Sequence, residues 1–101
     1  MELITTKVCM KGNIGVHGNL FGGTMLAWLD EAGAAFACEK AQSTHMVTRL
    51  IDKVEFSRPV KVGRIVKIYG EVLKMGTTSL TIRLKARSYN PHSGRMKSVC
   101  T

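Results

Sequence analysis

The chain has 101 residues, 45% of them hydrophobic and 22% charged, the balance of one folded domain and not of a disordered tail. At this length folding buries only about 60–70% of the unfolded surface, so sharing a core with a second subunit would help. Fifteen Lys and Arg against seven Asp and Glu give a net charge of +8, which favours anionic partners without choosing among nucleic acid, acidic lipid and a phosphorylated small molecule.

No apolar run approaches the ~20 residues of a membrane span, and the first seven residues, Met1 to Lys7, have no apolar stretch of signal-peptide type. A cytoplasmic protein that does not engage the membrane is expected. Cys9, Cys38 and Cys100 are odd in number and far apart, which suits reduced thiols. Neither they nor His17, His45 and His92 show zinc-ligand spacing, so no metal is expected.

In chain order, residues 3–10 read as a short strand. Residues 11–23 carry five glycines and form a loop with close backbone approaches. From Thr24 to about Ala41 good helix formers dominate, with Met25, Trp28, Leu29 and Phe36 at helical spacing and small residues between them. A helix apolar nearly all round should be buried. Val47 to Phe56 is β-branched and apolar, closed by Pro59, and reads as a strand. Ile65 to Leu73 is the next strand. A glycine-containing turn, Lys74 to Thr78, leads into a third, Leu80 to Ser88, so the two should form a hairpin. In that third strand Leu80, Ile82, Leu84 and Ala86 alternate with Thr81, Arg83, Lys85 and Arg87, an apolar face and a basic one. After the turn formers Asn90 to Gly94, Met96 to Thr101 begins a further strand and stops. The order predicts an α+β domain, an antiparallel β-sheet wrapped around one long central α-helix.

Asp30 is the residue that does not fit its helix. It shares a wheel sector with Leu26, Gly33, Ala34 and Ala37, and burying an unpaired carboxylate costs several kcal/mol or shifts its protonation. A rim position with a hydrogen-bonding or basic partner is one resolution; a catalytic role is the other. Gly22 and Gly23 favour the second. They fall where the helix begins, where unpaired N–H groups and positive dipole charge gather, and glycine admits a substrate oxygen close to those donors. Such donors polarise a carbonyl, and a carboxylate two turns along the helix, or the equivalent one of a partner subunit, serves as general base or nucleophile. No Gly-Lys-Ser/Thr, Gly-x-Gly-x-x-Gly or Gly-x-Ser-x-Gly run occurs, which removes the common nucleotide-binding and serine-hydrolase signatures.

The ordered segments His17-Gly18-Asn19-Leu20-Phe21-Gly22-Gly23, Trp28-Leu29-Asp30-Glu31-Ala32-Gly33-Ala34, Val47-Thr48, Val54-Glu55-Phe56, Arg58-Pro59-Val60, Val62-Gly63 and Gly76-Thr77-Thr78-Ser79 resemble the hotdog-fold acyl-CoA thioesterases, in particular the small bacterial and cytosolic brain-type acyl-CoA hydrolases. The resemblance implies a single hotdog domain over residues 1–101 that lacks a complete C-terminal strand. It implies hydrolysis of fatty acyl-CoA to acid and coenzyme A at a dimer interface, with dimers assembling as trimers of dimers. Asp30 matches the catalytic carboxylate, and backbone N–H groups near Gly22 and Gly23 would polarise the thioester. His17, Asn19 and Phe21 would contact substrate. Gly76, Thr77, Thr78 and Ser79 would lie near the CoA arm, and Val54, Phe56 and Arg58 near the site wall. No cofactor is implied beyond the coenzyme A of the substrate.

Two positions depart from the resemblance. Related enzymes often carry an asparagine where this chain has Gly15, with Asn13 two residues earlier, so either Asn13 reaches in through a shifted loop or this chain lacks that group. They usually carry Gly-Asp where this chain has Gly63-Arg64. The basic charge finds a use in the CoA phosphates, with Arg58, Arg83, Lys85 and Arg87 as candidates. A non-catalytic acyl-CoA or lipid-binding module is the alternative. Nucleic-acid binding is not expected, since few aromatic residues remain for base stacking once Trp28 and Phe36 are in the core.

Overall fold

The computed structural model describes residues 1–43, 48, 51, 53–77, 79–91, 93 and 96–100. Strand β1 (Glu2–Val8) leads through a 3-10 turn (Lys11–Asn13) and the glycine loop into helix α1 (Gly22–Ala41). Strands β2 (Ile65–Met75), β3 (Leu80–Tyr89) and β4 (Met96–Cys100) follow. The sheet has the order β1-β2-β3-β4 with every neighbouring pair antiparallel. Among the described residues α1 is the one long helix, and it packs across one face of that sheet.

Period-two alternation sets which side chains meet the helix. Val66, Ile68 and Ala86 point inward and are fully buried, joined by Cys9, Met25, Leu29, Ala32 and Val60. The helix comes close to the sheet because glycine stands at the contact on both sides. A methyl on Gly33 would lie 3.1 Å from Leu84 Cδ1, and one on Gly70 would lie 2.6 Å from Ile4 Cδ1 and 3.3 Å from Phe36 Cδ2. At its C-terminus α1 is closed by Gln42 in the left-handed region (φ 53°). Lys40 there donates to Glu2 at 2.8 Å and stands over the Phe36 ring, which ties the helix end to β1. The Glu2 hydrogen bond raises the Lys40 ammonium pKa.

The hairpin falls where the sequence puts it, with Met75 opposite Leu80 and the Gly76 amide donating to the Ser79 carbonyl at 2.8 Å. The basic face of β3 is also as expected. Arg83 pairs with Glu71 at 3.5 Å, and Arg87 lies over the Tyr69 ring on the sheet face turned away from the helix.

Three expectations are revised. The helix begins two residues early, taking Gly22 and Gly23 into its first turn. It is not buried all round: Met25, Leu29, Ala32, Gly33 and Phe36 are buried, but Gly23, Ala27, Asp30, Glu31 and Ala35 are exposed, because one sheet covers one side only. Of the strand expected over Val47 to Phe56, residues 47, 49, 50 and 52 lie outside the described residues. Ile51 and residues 53–55 are not in a strand, and Lys53 at φ 51° breaks the extended backbone. Among the described residues no helix is long and apolar enough to cross a membrane.

Gly70→Val should destabilise the fold by about 1–3 kcal/mol, since its side chain must displace Ile4 and Phe36 together; an unchanged urea midpoint would refute that packing. Burial raises the Cys9 thiol pKa. The unfolded thiol ionises near pH 8.5 while the folded one stays protonated to higher pH, so above about pH 8.5 the unfolded state binds fewer protons and stability falls as pH rises. Wild type should therefore lose stability faster than Cys9→Ala between about pH 8 and 10; parallel curves would count against it.

Candidate active site

The glycine loop folds as a miniature hairpin, with Ile14 bridged to Leu20, the Gly15 amide donating to Asn19 at 2.9 Å and the Gly18 amide to Gly15 at 3.1 Å. Gly18 needs to be glycine, since its φ is +76°. The loop is fastened to the segment before β2 by the Leu20 amide, which donates to Val60 at 2.7 Å, and by a bridge from Asn19 to Lys61.

Those bonds fix how α1 starts. Phe21 is its N-cap, at φ −66° and ψ 133°, with no side-chain capping bond. Its amide donates to the Asn13 carbonyl at 2.9 Å, and its own carbonyl accepts from Thr24 and Met25 at 3.0 and 3.1 Å. The amides of Gly22 and Gly23 have no backbone acceptor among the described residues and remain open donors at the positive end of the helix.

A cleft of about 320 Å³ opens beside Gly22, with Met25 and Val60 as apolar walls and Asn19, Phe56 and Arg58 around them. Arg58 is exposed and has no acidic partner among the described residues. An oxygen-bearing, partly apolar ligand with an anionic group suits this lining.

Asp30 stands apart from the cleft. It is exposed, contrary to the expectation of a dry carboxylate, and beside it Gly23 and Ala27 are small and exposed as well, with Ala34 half-buried. Thr48 Oγ1 donates to its Oδ1 at 2.6 Å and holds it in place, while Glu31 turns away to Lys7 at 3.7 Å. Seven residues are close to two turns, so Asp30 shares a face with Gly23. The rise from Gly22–Gly23 to Asp30 is nevertheless about 10–12 Å. One carbonyl cannot touch donors and base across that gap, since both must lie within about 3–3.5 Å of the reacting atoms.

The other sequence candidates are spread out. Asn19, Gly22, Phe56 and Arg58 meet at the cleft. Asn13 accepts the Met10 amide on Oδ1 at 2.9 Å, within its own turn. His17 is exposed on the loop, and Val54 packs against the core. Gly76, Thr77 and Ser79 are exposed at the β2–β3 turn, outside the lining of the cleft, and Thr78 lies outside the described residues. Of the cations proposed for phosphate, Arg58 is at the cleft, whereas Arg83, Lys85 and Arg87 are on the far face of the sheet. Thr48 as partner of Asp30, and Met25 and Val60 as cleft walls, escape a reading of the sequence. Thr48 is 18 residues from Asp30 in the chain and no periodicity links them. No group of His, Cys, Asp or Glu suited to a metal occurs among the described residues.

Comparison with known proteins gives a consistent picture. A profile of the thioesterase superfamily matches residues 17–94. The acyl-CoA thioester hydrolase YciA of Salmonella typhimurium is 34% identical over 84 residues, which cover 83% of this chain and 62% of that protein. The chain thus spans about six-tenths of the length of that curated relative. A hexameric broad-specificity acyl-coenzyme A thioesterase, solved as an aspartate-to-alanine mutant, superposes with a TM-score of 0.93 at 28% identity, over 97% of this chain and 72% of its own. A hexameric hotdog-fold thioesterase of Campylobacter jejuni gives 0.86 at 31% identity, over 99% and 77%. The sheet-on-helix arrangement is the hotdog fold.

Phe21 already has the extended backbone that a following proline requires, and a Cβ on Gly22 would meet only Phe56 Cζ at 3.9 Å. Gly22→Pro should therefore delete one open donor while keeping the unfolding free energy within about 1 kcal/mol of wild type. A collapse of the melting transition would show that the helix start is built otherwise.

Proposed function

We propose that this chain, which belongs to the thioesterase superfamily, hydrolyses fatty acyl-CoA to free acid and coenzyme A in the cytoplasm. The observation that carries the reading is the pairing of an exposed, Thr48-held carboxylate with open helix-start amides on the same face of α1. In the reaction the Gly22 and Gly23 amides stabilise the negative charge that develops on the thioester oxygen. Asp30 either takes a proton from the attacking water or attacks the acyl carbon itself, giving an anhydride that water then opens. In both routes the C–S bond breaks, the CoA sulfur leaves as thiolate and is protonated, and water supplies the oxygen overall, directly to the acid in the first route and in the second either to the acid or to the regenerated Asp30 carboxylate. No metal or other cofactor enters.

The gap along the helix supports a site in which donors and base come from different subunits. Two copies of α1 crossing antiparallel at the small, exposed Ala27, midway between Gly23 and Asp30, bring the Gly23 end of one chain opposite Asp30 of the other. Gly23, Ala27 and Ala34 permit that close approach. The hexameric state of the structural relatives supports a trimer of such dimers. Within the reading Asn19, Val54 and Phe56 line the acyl and pantetheine path, with His17 at its loop edge, while the Phe21 ring turns back on Gly15 and Gly23 instead of contacting substrate. Arg58 meets a CoA phosphate, and Gly76, Thr77, Thr78 and Ser79 meet the CoA arm. Asn13 is the side chain nearest in sequence to the vacant position at Gly15. A non-catalytic acyl-CoA-binding module is the second reading, favoured by the missing side chain at Gly15.

Asp30→Asn should lower thiol release from acyl-CoA by at least about a hundredfold, and Gly22→Pro by a similar factor. Co-expressed, the two should regain about a quarter of wild-type turnover, because a mixed dimer restores one of its two sites. Recovery absent from verified mixed dimers would sink the shared site. Tight CoA binding by calorimetry with no thiol released by wild type would select the non-catalytic module.

A further inference from the structure

We propose that Phe21 is a positioning residue: its ring, wedged between Gly15 and Gly23, holds the first turn of α1 so that the open amides keep their aim. The kinetic part of this proposal rests on the hydrolase reading; the structural part does not. An N-cap residue normally supplies a side-chain oxygen to the first-turn amides, and Phe21 has none to give. Its ring instead folds back on the backbone. Its Cε2 and Cδ2 lie 2.7 and 3.2 Å from where a Gly23 Cβ would be, and its Cδ1 lies 3.2 Å from where a Gly15 Cβ would be. One edge of the ring rests on the helix start and the other on the loop.

Two consecutive glycines have the most backbone freedom of any pair, so a helix that begins on them frays unless something restrains it. The main chain of Phe21 is pinned on both sides, through Asn13 before it and through Thr24 and Met25 after it. The ring adds a restraint on Gly23 itself. Gly15 belongs to the same device, because a side chain there must push the ring off its seat.

The test compares wild type with Phe21→Ala, Phe21→Tyr and Gly15→Val, reading amide hydrogen exchange by NMR at Thr24 and Met25, whose amides donate to the Phe21 carbonyl, together with kcat and KM for acyl-CoA. Phe21→Ala and Gly15→Val should each speed exchange at those two amides about tenfold or more. They should lower kcat on the order of tenfold while KM changes less than about threefold. Phe21→Tyr, which keeps the ring, should stay within about twofold of wild type in both. Unchanged exchange in Phe21→Ala would overturn the proposal, as would a loss confined to KM. If wild type releases no thiol from any acyl-CoA, the hydrolase reading falls, and the exchange rates still decide the role of Phe21.

Discussion

The close seating of α1 on β2 and β3, through Gly33 on the helix and Gly70 on the sheet, governs the rest of the molecule. With no side chain at either contact, Phe36, Leu84 and Ile4 interlock around the gap, and the helix cannot rotate without losing that fit. The orientation fixes which side chains are left outside. Gly23, Ala27, Asp30 and Ala34 are on the uncovered side because Met25, Leu29, Ala32, Gly33 and Phe36 are on the covered one. Helical spacing puts the carboxylate and the open end of the helix on one face, and core packing turns that face outward.

A helix with a buried stripe and an uncovered face of glycine and alanine is an unfinished surface. Small residues bury little area on their own but allow backbones to approach closely, which suits a second helix better than solvent. The rise of about 10–12 Å between donors and base makes the same demand from the chemical side. Packing and the proposed mechanism both favour the proposed second chain, and the +8 charge is compatible with it because the basic face of β3 points away from α1.

Much of the fold is legible in residue patterns. The alternation of Leu80 to Arg87 predicts both the strand and its two faces, and the Gly76 turn predicts the hairpin. The composition change after Gly23 predicts the helix to within two residues of its start. Within the strand expected at Val47 to Phe56, Ile51 and residues 53–55 are not in a strand and Lys53 takes a positive φ, while Phe56 makes an isolated bridge. Apolar, β-branched composition reports burial and local stiffness, not where the backbone breaks its extension. The all-round burial expected of α1 fails for a related reason: alanine and glycine read as apolar in sequence whether or not anything covers them.

Sequence alone singled out a carboxylate in an otherwise apolar helix behind a pair of glycines as the candidate centre of the chemistry, because an ionisable side chain among small apolar neighbours is conspicuous in one dimension. Only the tertiary structure decided what Asp30 touches and what it cannot reach. Its bond to Thr48 crosses 18 residues of chain, the cleft beside Gly22 depends on Met25, Phe56 and Val60 meeting from separate segments, and the Phe21 ring reaches Gly15 only through the bend of the loop. Such contacts follow from how elements pack, and no local spacing encodes them.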